Sequence, residues 1–450
     1  MQVKIIIKWH YAKILRRAGL VLFLSFIPTL LASFAAANHK SSKNITPVNN
    51  PELLLTVLIA NDPEFKEVSD TDAQVILHEA QKTVADKLSF AHLKFKIVGH
   101  TNVKNFLDTY APDGNACVNN FEPLRVRPNI RSAQSIDQKY VINFLSHWKL
   151  EELKAFFPSN VQAELSSYEI IAQKLQAEHD KKIALLKNFK LANGASLLSE
   201  KHADERSYVR WICAMRKQNV ADLILTNAFI LYDLGSEPFP HTVFQKCKVG
   251  GAALQSPSRR AMRGRAMFSS TFSMFTEIPF FKEDGLDKLS HQERLNVIGA
   301  FILAHELGHA IFRLPDFYDH PKECLMTTKY ETGYIDGYYL LKQHPGACPA
   351  CAPWVKAREH VFKADQALAN GDNSTAIAEL KEAIRTTPKH IDGSYKRAMA
   401  DLSFEIAKLS AQQNPQAALK WLNSVLKIVP NHSEALELQT ELKEFSQRSQ

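Results

Sequence analysis

The chain has 450 residues, 45% of them hydrophobic and 10% aromatic, an ordinary globular composition with apolar material enough for two or three domains. Its formal net charge of +8 does not mark a nucleic-acid partner, because Lys4, Lys8, Lys13, Arg16 and Arg17 all precede the first acidic residue, and removing residues 1–37 leaves only about +3. The cluster Arg259, Arg260, Arg263 and Arg265 reads as a solvated loop rather than a docking site.

The first 37 residues have the three-part layout of an export signal: a basic start, an apolar run from Ala18 to Ala37, and the small residues Ala35 and Ala37 before Asn38. That run of 20 residues is also long enough to span a bilayer, so an uncleaved N-terminal anchor is the alternative. Under either reading the body of the chain is exported, periplasmic or secreted. Contact with a membrane is then expected only through residues 18–37, and no later stretch is expected to cross one. Residues 38–51, rich in Ser, Asn and Lys, read as a flexible linker.

Leu53 to Ala60 is an aliphatic run expected to form a strand. Ala73 to Leu88, with Val75, Ile76, Ala80, Val84 and Leu88 at helical spacing, is expected to form a helix, and Leu93 to Val98 a second strand. From about 132 to 206 the chain is polar, with Leu every three or four residues, and reads as an inserted helical hairpin. Ala221 to Tyr232 predicts a buried strand, and Gly250 to Ser273 an edge strand along which a peptide substrate would lie. Of the six cysteines, Cys117, Cys213 and Cys247 read as one disulfide plus one buried thiol, with the pairing open.

Ser290 and Glu293 have capping-box spacing, and the apolar Leu295, Ile298, Phe301, Ile302 and Leu303 predict one buried helix from Ser290 to Arg313. Near its end stands His305-Glu306-Leu307-Gly308-His309. Side chains four apart share a helix face, so the two imidazoles can meet one metal ion, of which zinc is the natural guest, with Glu306 flanking it. Such an ion with one further protein ligand keeps a position for water and lowers its pKa, leaving Glu306 to act as general base. The competing reading is a helix whose two histidines merely hydrogen-bond in the core. For the third ligand, Asp316, Asp319 and His320 follow closely.

This region resembles the metzincin metallopeptidases, in which the helix stops just after the second histidine and a turn brings back a His or Asp. Where that family has a helix-breaking Gly this chain has Phe312, and the acidic residue arrives one position late. Pro315 is placed to end the helix instead and deliver Asp316 to the metal, with His320 next in order and Asp319 last. Cys324-Leu325-Met326 and Cys348-Pro349-Ala350-Cys351 resemble the tail of the archaemetzincin branch, where such cysteines frame a second, structural zinc and the Met lies in a turn beneath the catalytic one. That branch has a fourth cysteine just after its third ligand and this chain has none. His320 is placed to substitute, which would give a Cys3His set of His320, Cys324, Cys348 and Cys351. A disulfide from Cys324 to Cys348 or Cys351 is the alternative, and Met326 as an ordinary core methionine is another. The resemblance implies an α+β zincin-like catalytic domain over about 52–353, a twisted sheet plus active-site helix with the helical insertion at 132–206. It also implies Tyr318 or Tyr334 as a candidate oxyanion donor.

From 354 to 450 the composition turns to Ala, Leu, Lys and Glu, and Ala376, Leu380, Ala383 and Pro388 are echoed 42 residues later by Ala418, Leu422, Val425 and Pro430. This resembles the tetratricopeptide pattern, without the signature aromatic of its first helix and with a longer second copy. Two units and a last helix, His432 to Phe445, are expected to form an all-α repeat domain that either docks a protein partner or packs on the catalytic domain. The leading expectation is thus an exported zinc metallopeptidase acting on peptide or protein substrates. The alternatives are a catalytically degenerate, zinc-stabilised binding protein and a hydrolase of non-peptide amides.

Overall fold

The computed structural model describes residues 52–112, 138–232, 248–254, 266–316, 320–327, 333–389 and 393–448, apart from 147, 155–156, 158, 192–193, 195 and 199–202. The expected signal and linker, the arginine cluster, Cys117, Cys247, Tyr318 and Asp319 lie outside these residues.

The protein is α+β, with a five-stranded mixed sheet in the order β2-β1-β3-β5-β4. The aliphatic run Leu53–Asn61 forms β1, and α1 (Asp70–Leu88) returns the chain to β2 (Leu93–Asn102), parallel to it. Ser69 caps α1 by accepting from the Asp72 N–H. After α2 (Val103–Tyr110), α3 (Gln138–Leu145) and α4 (Tyr168–Asn188) share a small core of Val141, Leu145, Ile171 and Leu175. The expected hairpin is therefore more elaborate than read: two short helices, Leu150–Lys154 and Ser159–Gln162, fill its connection.

Following α5 (Tyr208–Lys217), β3 is only Leu223–Thr226, shorter than the apolar run suggested. Residues 227–232 are just as buried but leave the ladder, since apolarity reports burial and not pairing. Strand β4 (Gly251–Ala253) runs antiparallel to β5 (Met267–Ser270) at the sheet edge, while β5 is parallel to β3.

Alternation along the strands decides which helices cover which face. Leu55, Val57, Ile59, Leu223 and Leu225 share one core with α1 and with α6, the helix His291–Phe312. Leu58, Ala60, Ile224 and Phe268 face the other way, into a core with Phe106 and Leu107 of α2 and Trp211 of α5. Helix α6 is long and apolar enough to cross a membrane, contrary to the sequence expectation, but 83% of its apolar window is buried inside the protein. Its apolarity on all sides is that of a central core helix.

After α7 (Tyr334–Gln343) come α8 (Ala352–Ala369), α9 (Asn373–Thr386), α10 (Gly393–Ala411), α11 (Pro415–Ile428) and α12 (Ser433–Arg448). The echoed pairs Ala376/Ala418, Leu380/Leu422 and Ala383/Val425 are all buried, so the 42-residue offset corresponds to equivalent packing positions. The domain boundary expected at 353/354 falls inside the first turn of α8. Trp354, Val355 and Phe362 of that helix belong to the same core as the sheet and α6.

Candidate metal centres

Helix α6 starts where its sequence requires: Ser290 accepts from the Glu293 N–H while the Glu293 carboxylate accepts from the Ser290 N–H, closing both halves of the capping box. Only one α-helical stretch, Ala304–Leu307, carries His305 and Glu306; wider π turns flank it at Ile298–Leu303 and Gly308–Phe312. Arg313, in the left-handed region at φ 57°, ends the helix, and the Leu314 N–H donates to Gly308 O at 3.1 Å. The reversal thus precedes Pro315, to which the sequence assigned it. Without the freedom of glycine, a left-handed residue costs about 1–2 kcal/mol.

The turn completes a triangle. His305 Nε2 lies 3.1 Å from His309 Nε2, and Asp316 Oδ1 lies 3.3 and 3.2 Å from the two nitrogens. The other ring nitrogens are committed: His305 Nδ1 donates to Leu325 O at 2.9 Å and His309 Nδ1 to Leu314 O at 2.5 Å. A carbonyl only accepts, so each Nδ1 carries the hydrogen and, in the neutral ring, each Nε2 presents a lone pair. Asp316 Oδ1 is buried and accepts no hydrogen bond, although its side chain as a whole is about one-third exposed. With both rings neutral, three lone pairs converge on one point. Donors held about 2.0–2.1 Å from a tetrahedral ion would stand about 3.3 Å apart, so the residues present fit three of the four positions around a metal. Backbone carbonyls orienting the imidazoles are the outer shell that such ligands use.

The electrostatics agree. Burial opposes a charged imidazole, yet the Asp316 carboxylate overrides it and raises His309 to about 9. Burial likewise opposes ionisation of Asp316, and the charges of His309 and His305 hold it well below the usual carboxylate range. The carboxylate of Asp316 therefore favours positive charge on the imidazole beside it. Glu306 is buried beside it, its carboxyl pushed up by burial against the opposing pull of His305 and His309. Edge strand β4 lies directly on it: a Cβ at Gly251 would stand 2.6 Å from Glu306 Cγ. Tyr334, at the start of α7, approaches Gly250 through its hydroxyl and bonds the Ser273 side chain; burial first, then Glu283 and Glu306, keep it protonated.

The second cluster is His320, Cys324, Cys348 and Cys351. His320 Nε2 donates to Pro315 O at 2.9 Å, leaving Nδ1 facing sulfur at 3.5 Å from Cys324, 3.4 Å from Cys348 and 3.6 Å from Cys351. Cys324 Sγ lies 3.3 Å from Cys348 Sγ and 3.6 Å from Cys351 Sγ, and all three thiols are free, which sets aside the disulfide reading. Around a tetrahedral ion with sulfur at about 2.3 Å these edges would measure about 3.6–3.8 Å, so this set also fits a metal ion. Burial disfavours a charged His320, but hydrogen bonding to Cys324 and Cys348 raises it to about 10. Its place here separates it from the first triangle, where Asp316 stands.

The two clusters share one segment. Cys324 gives a sulfur to the second, the Leu325 carbonyl orients His305 of the first, and Met326 lies fully buried under α6. A Cβ on Gly308 would come within 2.6 Å of Met326 Sδ, so the thioether sits against the helix turn between the two histidines. The Met326 N–H donates to Cys324 Sγ at 3.3 Å. Cys213 is disulfide-bonded.

Sequence reasoning missed the parts that carry no reactive group: the Leu314 and Leu325 carbonyls, the left-handed Arg313 and the close approach of Gly251. Comparison with protein-family models, with curated proteins and with solved structures gave no match.

Proposed function

We propose that the protein is an exported zinc-dependent peptidase of zincin-like fold, with His305, His309 and Asp316 holding the catalytic zinc and Glu306 as general base. The observation that carries this is the triangle of three lone-pair donors with an acid beside it that serves no capping or ion-pairing role among the described residues. Two imidazoles and a carboxylate are a zinc donor set, and a bound zinc supplies a water of lowered pKa and a Lewis acid for the scissile carbonyl. Glu306 takes the proton from water and returns it to the leaving amine. Tyr334, kept as a phenol by burial, donates to the developing oxyanion.

Strand β4 supports a peptide as the substrate. At the edge of the sheet and in contact with Glu306, it offers backbone groups to an extended peptide laid beside the acid. The Cys3His set is read as a structural zinc site, closed by four protein donors. Export is supported by the disulfide at Cys213 and by the N-terminal signal pattern. The helices from 352 onward are read as tetratricopeptide-like, on the strength of the buried 42-residue echo.

The deciding experiment compares wild type with Glu306→Gln on a mixed peptide library. The variant should keep both metals by elemental analysis while losing at least about a hundredfold in rate. If both proteins are inert across broad libraries while holding metal, the zinc-stabilised binding protein is the right reading.

A further inference from the structure

The turn that delivers Asp316 is gripped from the C-terminal helices. Arg313 NH1 donates to Asp401 Oδ2 at 2.7 Å, and the two side chains are only 11% and 5% exposed. Arg313 is the left-handed residue at φ 57°; its N–H donates to His309 O at 3.1 Å. The next residue supplies the carbonyl that orients His309, and Asp316 comes two residues later. A left-handed backbone is disfavoured for arginine, so something outside the turn must hold it. The buried partner on α10 is the group in position to do so, because an ion pair out of water fixes the long side chain and with it the Cα.

We propose that Asp401 is a positioning residue for the His305, His309 and Asp316 cluster, so that α10 forms part of the metal site rather than an appendage to it. This rests on reading the cluster as a metal site. The ion pair couples the C-terminal helices to the ligand geometry: whatever shifts α10 shifts the Arg313 turn, and with it Leu314 O and Asp316.

The test is cobalt titration of the full chain. Thiolate-to-cobalt charge transfer reports the Cys3His cluster and gives an internal reference, while the remaining ligand-field absorption reports the His/Asp cluster. Asp401→Asn should weaken cobalt binding at the His/Asp cluster about tenfold, as loss of an outer-shell partner does, and leave the thiolate signal titrating as in wild type. Arg313→Gly added to it should restore most of the affinity, since glycine adopts the left-handed turn without a partner. A role in overall stability alone would not be rescued by that second change. The proposal is overturned if Asp401→Asn leaves the His/Asp affinity within about twofold of wild type, if both clusters weaken together, or if Arg313→Gly brings no recovery. A wild-type chain that fills its thiolate cluster but takes no cobalt at the His/Asp cluster overturns the metal reading itself, and this proposal with it.

Discussion

Contacts at Gly251 and Gly308 depend on a missing Cβ. Gly251 lets β4 lie on Glu306, and an added methyl would stand 2.6 Å from its Cγ and 2.8 Å from Oε1. The carboxylate is the end that must move, so Gly251→Ala should lower the proposed peptidase activity by about tenfold or more while leaving any bound metal in place, read by kcat and elemental analysis side by side. Gly308 faces a different neighbour, the Met326 thioether. Gly308→Ala overpacks that contact and should destabilise the fold by about 1–3 kcal/mol, measured by denaturant unfolding of the metal-loaded protein. Neither effect was legible from residue type alone. His305, Glu306 and His309 announce themselves because reactive groups at helical spacing are rare. A glycine gives no such signal until its neighbour across the chain is known.

At the scale of elements, α6 shows how much a short pattern can specify. The capping box and the apolar run placed its start at Ser290, and the structure begins the helix at His291 with both reciprocal bonds made. Ser290→Ala should cost about 1 kcal/mol at neutral pH. Part of that cost should fade in acid. The Ser290 hydroxyl and N–H lower the Glu293 pKa below its ordinary 4.5, so the carboxylate's contribution is present above that value and is lost as pH falls through the folded-state pKa. The difference in unfolding midpoint between wild type and variant, followed from pH 7 to about pH 3, checks the sign. The end of α6 was less legible. The sequence puts the stop at Pro315, yet Arg313 reverses the chain two residues earlier, where an ion pair distant in sequence grips a conformation that local propensity disfavours. The sheet shows the same limit. Runs such as Leu53–Asn61 were plain, but the point where β3 leaves the ladder was not, since residues 227–232 are as apolar and as buried as the strand itself.

For the molecule as a whole, the change in composition near Trp354 suggested a domain boundary, whereas the packing is continuous there. Phe362 of α8 stacks on Phe90 with centroids 4.7 Å apart, and Phe312 at the end of α6 meets the edge of both rings at 5.8 and 6.2 Å. A chain ending at residue 353 would bare Phe90 and Phe312 and lose Asp401. It should be recovered as insoluble or non-cooperatively unfolding protein, checked by solubility and thermal melting against the full chain. A helical-repeat pattern identifies its own hydrophobic period well, as the buried pairs Ala376/Ala418 and Ala383/Val425 show. It does not reveal which neighbour the first helix joins, because that contact is written partly in Phe90, far upstream in the chain.

The three consecutive residues Cys324, Leu325 and Met326 supply a sulfur, a carbonyl and a thioether to three different neighbours. Inserting or deleting one residue among them would put all three out of phase at once, and no compensating substitution elsewhere could restore more than one. In any descendant of this chain that keeps its chemistry, the length of this tripeptide is therefore a stricter inheritance than the identity of its middle side chain.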